Sequence, residues 1–226
     1  MNKDLQTYLE DPLIRTIKHD GEKFWFKKPA VVAKGLLSKL KKAYYPGYKY
    51  KVGKKPSRKK VRKGSNTNEG KAVGKQLTDY IKSKNNKKTL ALRYSRALVE
   101  YWEDQMGHTL CATEVPTFVS KFNCCTAADM ITEDRNHKLH LWEIKCGANS
   151  DKKQGFFNFE GKKVPNTRKN HWELQRYYTT KGFLDKGLPL VGSHVINVYD
   201  YYDKKTKKTK VEVKQRKRPA WINKRK

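Results

Sequence analysis

A carboxylate and a lysine share one face of a short apolar segment near the middle of the chain. Glu143 and Lys145 follow Leu139 and Leu141 at alternate positions, and alternate residues of a β-strand lie on the same face of a sheet. If this strand is central, both charged side chains are at least partly buried, and buried charges need partners. The spacing therefore predicts a site in which a carboxylate and an ammonium group act together.

A second carboxylate lies upstream, on a segment that can pair with this strand. The apolar segment 124–131 contains Asp129, and the polar turn 132–137 separates it from the strand 138–146, which is typical of a β-hairpin. Pairing would bring Asp129 near Glu143. Two carboxylates and a backbone carbonyl, such as that of Ile144, are the hard oxygen ligands that Mg²⁺ or Mn²⁺ prefers.

Such a site is suited to the hydrolysis of phosphodiesters. The metal ion would lower the pKa of a bound water and offset the charge that builds on the phosphate. Lys145 would orient the water and stabilise the transition state. The alternative is a surface hairpin with a Glu–Lys pair, since Glu-x-Lys triplets arise easily in a chain with 33% charged residues.

Helices are predicted on both sides of the hairpin. Apolar spacing indicates one helix over 69–82 and a second over 90–106, before Gly107. A third begins at Asn170, as an N-cap with Glu173 completing a capping box, and runs to Lys181. This helix carries Gln175 and Tyr178 on one side, because residues three apart are neighbours on a helix surface.

Further strands would complete a sheet. They are predicted over 110–119, over 194–201 and, more weakly, over 208–213. Pro116 indicates that the first of these is an edge strand or is bent, since proline cannot donate to a ladder. The polar segment 147–169 is predicted to be a loop near the site.

The charge of the chain predicts a polyanionic partner. Lys and Arg number 52 against 22 Asp and Glu, a formal net charge of +30, which favours nucleic acid over an anionic membrane. No segment has the length of a transmembrane helix or the character of a signal peptide. The four cysteines show no CxxC spacing, so we expect reduced thiols in an intracellular compartment.

Composition divides the chain into three parts: a basic N-terminal arm over 1–64, a core over 65–202, and a basic C-terminal strand and tail over 203–226. Tyrosines interleave with lysines in the arm, a pattern suited to phosphate and base contacts. Two alternatives stay open, a solvated arm that only aids solubility and, for the run 54–63, a nuclear localisation signal.

Several of these features follow one another in an order shared with a known family. In sequence they are Gly70 and Gly74 on the first helix, Glu114 on the next strand, Asp129, the triplet Glu143-Ile144-Lys145, and Gln175 with Tyr178. This order, over about 69–201, resembles the RecB-like, lambda-exonuclease-like branch of the PD-(D/E)xK nuclease superfamily. In that branch a Gly-x-x-x-His helix precedes a Glu strand, an Asp strand, an acid-x-Lys strand and a Gln-x-x-Tyr helix.

The resemblance implies an α/β fold with a restriction-endonuclease-like core, a central mixed sheet of four or more strands flanked by helices. It implies a Mg²⁺-dependent DNA nuclease, with exonuclease or end-processing activity favoured and RNA not excluded. Asp129 and Glu143 would bind the metal, Lys145 would be catalytic, and Gln175 and Tyr178 would support the site or contact DNA. A compact, lysine-rich nuclease would suit a virus or a mobile element, and the nucleus or a viral replication site would suit its location.

One position departs from the family pattern. The histidine of the helix motif, often a metal ligand, would fall at Gly74, which has no side chain to donate. A helical glutamate serves in some relatives, and Glu100 or Glu103 would be the candidates here. The alternative function is therefore a non-catalytic nucleic-acid-binding protein built on a nuclease-like scaffold.

Overall fold

A computed structural model describes residues 2–19, 24–26, 32–33, 35–48, 66–147, 153–203 and 205–222. The helices are α1 Lys3–Glu10, α2 Pro12–Thr16, α3 Leu36–Tyr44, α4 Asn66–Lys82, α5 Arg93–Glu100, which continues as a π-helical turn over Tyr101–Gln105, and α6 Arg168–Asp185. The strands are β1 Ile17–His19, β2 Phe24–Phe26, β3 Val32–Ala33, β4 Thr109–Val119, β5 Cys124–Glu133, β6 Leu139–Cys146, β7 Phe156–Phe159, β8 Lys162–Pro165, β9 Leu190–Asp203 and β10 Lys208–Gln215.

A five-stranded mixed sheet forms the centre of the molecule, in the order β10-β9-β6-β5-β4. β6 and β9 are parallel, and the other neighbours are antiparallel. The predicted α/β class, mixed sheet and hairpin of β5 with β6 are confirmed. β4 is an edge strand, so Pro116, which has no N–H to donate, does not interrupt a ladder on the open side of the sheet.

Strand alternation sends the side chains of β6 into two hydrophobic clusters, one on each face of the sheet. Leu141 shares a cluster with Phe183 of α6 and Leu5 of α1. Trp142 shares another with Leu98 of α5 and with side chains of α4. Each large apolar side chain removed from water contributes about 1.5–3 kcal/mol to the stability of the fold. Because both faces of the sheet carry such side chains, helices are needed on both faces to cover them.

Two local predictions around α6 were wrong. The segment 147–169 contains the antiparallel hairpin β7–β8, whose Phe159 and Val164 are buried in a third cluster. Its alternating apolar residues were masked by lysines and glycines. The N-cap of α6 is Thr167, whose side chain accepts a hydrogen bond from the Asn170 N–H, so the capping box of Asn170 with Glu173 does not form.

The terminal regions contribute to the core more than their composition predicts. Leu5 of α1 and Leu40 of α3 are completely buried, and β10 pairs with β9 along its whole length. Buried apolar side chains therefore pack α1, α2 and α3 on the folded unit, although Leu13 and Leu37 stay exposed. The basic run 54–63 lies outside the described residues. None of the helices within the described ranges is long and apolar enough to cross a membrane.

Candidate active site

The site forms where β5 and β6 separate. Their pairing runs from Glu133 with Leu139 to Met130 with Trp142, and the next residues in register are Asp129 and Glu143. Beyond that point the Ile144 N–H donates to a side chain rather than to the backbone of β5, and its acceptor is Asp129 Oδ2 at 2.6 Å. The hydrogen bond fixes the Asp129 carboxylate between the diverging strands.

One ammonium group joins the two carboxylates to α6. Lys145 Nζ lies 3.2 Å from Glu143 Oε2 and 3.9 Å from Asp129 Oδ2, and it donates to Gln175 Oε1 at 3.2 Å. The two carboxylate oxygens are therefore closer than about 8 Å, the separation beyond which they could not share one ion. Asp129, Glu143, Lys145 and Gln175 together are called the carboxylate site below.

Burial makes the charges of this site unequal. The side chain of Glu143 is completely buried, and burial raises its pKa, an effect that Lys145 opposes and Asp129 reinforces. Burial alone would lower the pKa of Lys145, but the carboxylates of Glu143 and Asp129 more than offset it and raise this pKa. Lys145 therefore stays protonated, while Glu143 holds a proton more readily than an exposed glutamate.

Glu114 lies beside this group through an irregularity in β4. The register pairs Thr113 with Met130 and Val115 with Ala128, so Glu114 is opposite Asp129. Its φ of +51° is uncommon for a non-glycine residue and redirects its side chain. Surrounding protein and the Asp129 carboxylate raise the pKa of Glu114 to about 7, although solvent exposure of the residue screens part of this effect.

Gly74 of α4 lies next to the Glu114 carboxylate. A Cβ at position 74 would lie 3.4 Å from Glu114 Oε1. At the position where the sequence resemblance led us to expect a histidine, the glutamate carboxylate of a neighbouring strand therefore lies next to the helix. The sequence indicated both positions separately, but only the structure brings them together.

The donors of the site fit a divalent cation in type but do not form a ready-made cage. In the part of the chain that the structure describes, no group of three or more His, Cys, Asp and Glu side chains is arranged to hold a metal ion. Glu143 Oε1 is buried without a hydrogen bond of good geometry among these residues, and the Thr179 hydroxyl of α6 is the donor near this carboxylate. Mg²⁺ is commonly held by one or two carboxylates with several waters, so Asp129 and Glu143 fit it, with the Ile144 carbonyl as the third candidate oxygen.

The structure separates Tyr178 from the carboxylate site. Gln175 reaches Lys145, whereas the Tyr178 hydroxyl bonds to the hydroxyl of Tyr44 and accepts from Lys121 Nζ at 3.0 Å. Sequence reasoning missed Lys121 and its link to Tyr44, because neither lies at a regular spacing from Tyr178. The two tyrosines belong to the third hydrophobic cluster, beside Phe122, and the exposed Lys121 covers them from outside.

Glu100 and Glu103 are not brought to the carboxylate site. Glu100 is exposed at the end of α5, which packs on the opposite face of the sheet. Glu103, on the π-helical turn, accepts a hydrogen bond from the Tyr80 hydroxyl at 2.8 Å. Neither glutamate is therefore placed to act as the substitute metal ligand that we expected.

Comparison of the chain with protein-family models, curated proteins and solved structures finds no match to any of them. The functional argument consequently rests on the geometry of the carboxylate site and on the charge of the chain.

Proposed function

We propose that this protein is a metal-dependent nuclease that hydrolyses phosphodiester bonds of DNA, as an exonuclease or end-processing enzyme. The observation that carries the proposal is the pair of carboxylates, Asp129 and Glu143, joined by the Lys145 ammonium at the fork between two strands. The order of motifs along the chain favours action at DNA ends, and RNA is the alternative substrate.

The residues of the site have distinct roles in this proposal. Asp129 and Glu143 would hold Mg²⁺ or Mn²⁺, which would supply a water of lowered pKa and offset charge on the phosphate. Lys145 gives up its longer contact, that to Asp129, and donates to the phosphate oxygens where negative charge develops. Gln175 keeps the ammonium group in place by accepting a hydrogen bond from it. Glu114 is a further carboxylate at the edge of the site.

The charge of the chain supports a nucleic-acid substrate. A net charge of +30 raises the local concentration of a polyanion and stabilises contacts with phosphates through the release of counterions. We place this activity inside the cell, with the nucleus or a viral replication site as candidate locations.

The second candidate is a nucleic-acid-binding protein that does not cleave. Two observations favour it: no group of three or more metal-binding side chains is preassembled within the described ranges, and Lys145 already balances part of the carboxylate charge. Against it, a protein that only binds nucleic acid gains nothing from carboxylates near phosphate, which repel the ligand.

Cleavage of linear and circular DNA by the purified protein, in Mg²⁺, Mn²⁺ or EDTA, tests the proposal. We expect metal-dependent degradation of linear DNA, lost in Lys145→Ala and retained in Lys138→Ala, the matched control, because Lys138 is exposed immediately before the same strand. Cleavage that persists in EDTA would contradict the mechanism. Binding without cleavage in either metal would favour the second candidate.

A further inference from the structure

A cavity of about 360 Å³ lies between α6 and the beginning of β9. β9 flanks β6 on the side away from β5, so this cavity is distinct from the carboxylate site, which opens between β5 and β6. Its lining combines the basic side chains of Arg176, Lys181 and Arg218 with Ser193 and with apolar side chains that include Leu184. We call it the arginine cavity.

Arg176 is the most buried of the basic residues that line this cavity, with 3% of its surface exposed. Its Nε contacts Glu173 Oε2 at 2.9 Å and its Nη1 donates to Ser193 Oγ, but Nη2 is buried without a hydrogen-bond partner among the described residues. Glu173 is also shared with Arg216, at 3.4 Å. A buried guanidinium N–H without an acceptor is costly, so Arg176, which lines the cavity, has an N–H that still needs an acceptor.

Ser193 extends this set of donors. Its Oγ accepts from Arg176 and, at 3.5 Å, from Arg218 Nη2. A serine hydroxyl has two acceptor lone pairs and one donor proton, so the proton of this lining residue is still available to a ligand. Two guanidinium groups, a hydroxyl proton and the Lys181 ammonium are all donors, and they complement a ligand that only accepts.

We propose that the arginine cavity binds the phosphoryl group of a nucleotide, either in a nucleic-acid strand or as a free nucleotide. Guanidinium groups match the planar pairs of oxygens that a phosphate presents. The volume is in the range of small-ligand sites, about 300–1,000 Å³, and the apolar side chains of Leu184 and Ile222 suit the uncharged part of a nucleotide. This binding does not depend on cleavage at the carboxylate site.

The test is calorimetric titration of the full-length protein in EDTA, where metal-dependent cleavage cannot occur. The three probes are inorganic phosphate, a nucleoside monophosphate and a short single-stranded oligonucleotide. We expect Arg218→Gln and Ser193→Ala each to weaken binding of the nucleoside monophosphate or the oligonucleotide by about tenfold, the loss of one charge-assisted hydrogen bond. Arg216→Gln is the matched control, since it removes the same charge nearby from a residue that contacts Glu173 and does not line the cavity.

The pattern across the probes identifies the source of the phosphoryl group. Binding of the nucleoside monophosphate that depends on Arg218 indicates a free nucleotide, and dependence seen only with the oligonucleotide indicates a strand. The proposal is overturned if no probe distinguishes correctly folded Arg218→Gln and Ser193→Ala from the wild type, or if Arg216→Gln weakens binding equally. Circular dichroism establishes that each variant is folded. Because every titration is done in EDTA, loss of this site and absence of nuclease activity are separately visible.

Discussion

Glu143→Gln should abolish cleavage and yet stabilise the metal-free protein. The substitution keeps the size of a completely buried side chain and removes its charge. Cleavage should fall by roughly 100-fold or more, because a ligand of the metal that activates the water is lost. Binding of DNA should survive or tighten, since a negative charge near the phosphate is gone.

The gain in stability follows from the raised pKa of Glu143. In the unfolded chain this carboxyl has its ordinary pKa of 4.5, and burial raises it in the folded state. Above the folded pKa the ionised side chain therefore costs free energy, about 1.4 kcal/mol for each unit of the shift. That cost disappears as the pH falls to the ordinary value. We expect the variant to be more stable by at least about 1 kcal/mol at about pH 9, and equally stable near pH 4.5.

Calorimetric unfolding in EDTA across this pH range measures the effect. Mg²⁺ should then raise the Tm of the wild type and leave that of Glu143→Gln nearly unchanged, because a ligand stabilises only the state that binds it. A variant that is less stable than the wild type by about 3–5 kcal/mol would show that the Glu143–Lys145 ion pair outweighs burial. Full cleavage activity in the variant would refute the assignment of Glu143 as a metal ligand.

Three further predictions test the surrounding fold by urea denaturation. Burial, followed by the charges of His140 and other neighbours, lowers the pKa of His194 to about 3. The free energy of unfolding should therefore fall as the pH drops from about 6.5 to about 3, by up to about 1.4 kcal/mol per pH unit. His194→Gln should reduce this slope, whereas His137→Gln, at a largely exposed position, should keep it. Gly182→Ala should lower the free energy of unfolding by about 1–3 kcal/mol, since its Cβ would lie 2.8 Å from the Phe118 carbonyl oxygen. Gly70→Ala, whose Cβ would have nothing within 4 Å, should raise it by about 0.5–1 kcal/mol. Equal effects of the two substitutions would contradict this packing. Thr167→Ala should cost about 1 kcal/mol as the cap of α6 is lost, and no change would show that the cap contributes little.

The alternation of residues in β6 was sufficient to predict much of the candidate site. Leu139, Leu141, Glu143 and Lys145 share one face because neighbouring side chains of a strand point in opposite directions. The polar turn after β5 made the pairing of the two strands predictable, and with it the proximity of Asp129. These features depend on the order of nearby residues, so the sequence alone determined them.

Other relationships arose only when distant elements packed together. Gln175 and Tyr178 lie on one helix and were predicted to act together, yet only Gln175 reaches Lys145. The residues of the arginine cavity come from α6, β9 and the segment after β10, and no spacing in the chain connects Arg176 with Arg218. Lysine-rich composition also concealed the apolar face of α3.

The sequence by itself therefore determined the mixed α/β sheet, its hairpin and the presence of two carboxylates and a lysine near its centre. The tertiary structure decided which side chains complete that group, that Glu114 approaches Gly74, and that residues 2–19 and 35–48 belong to the core. The physical reason is the range of the interactions involved. Strand and helix periodicity is set by neighbours in the chain, whereas a contact between elements depends on how whole faces pack and on which buried charges must find partners.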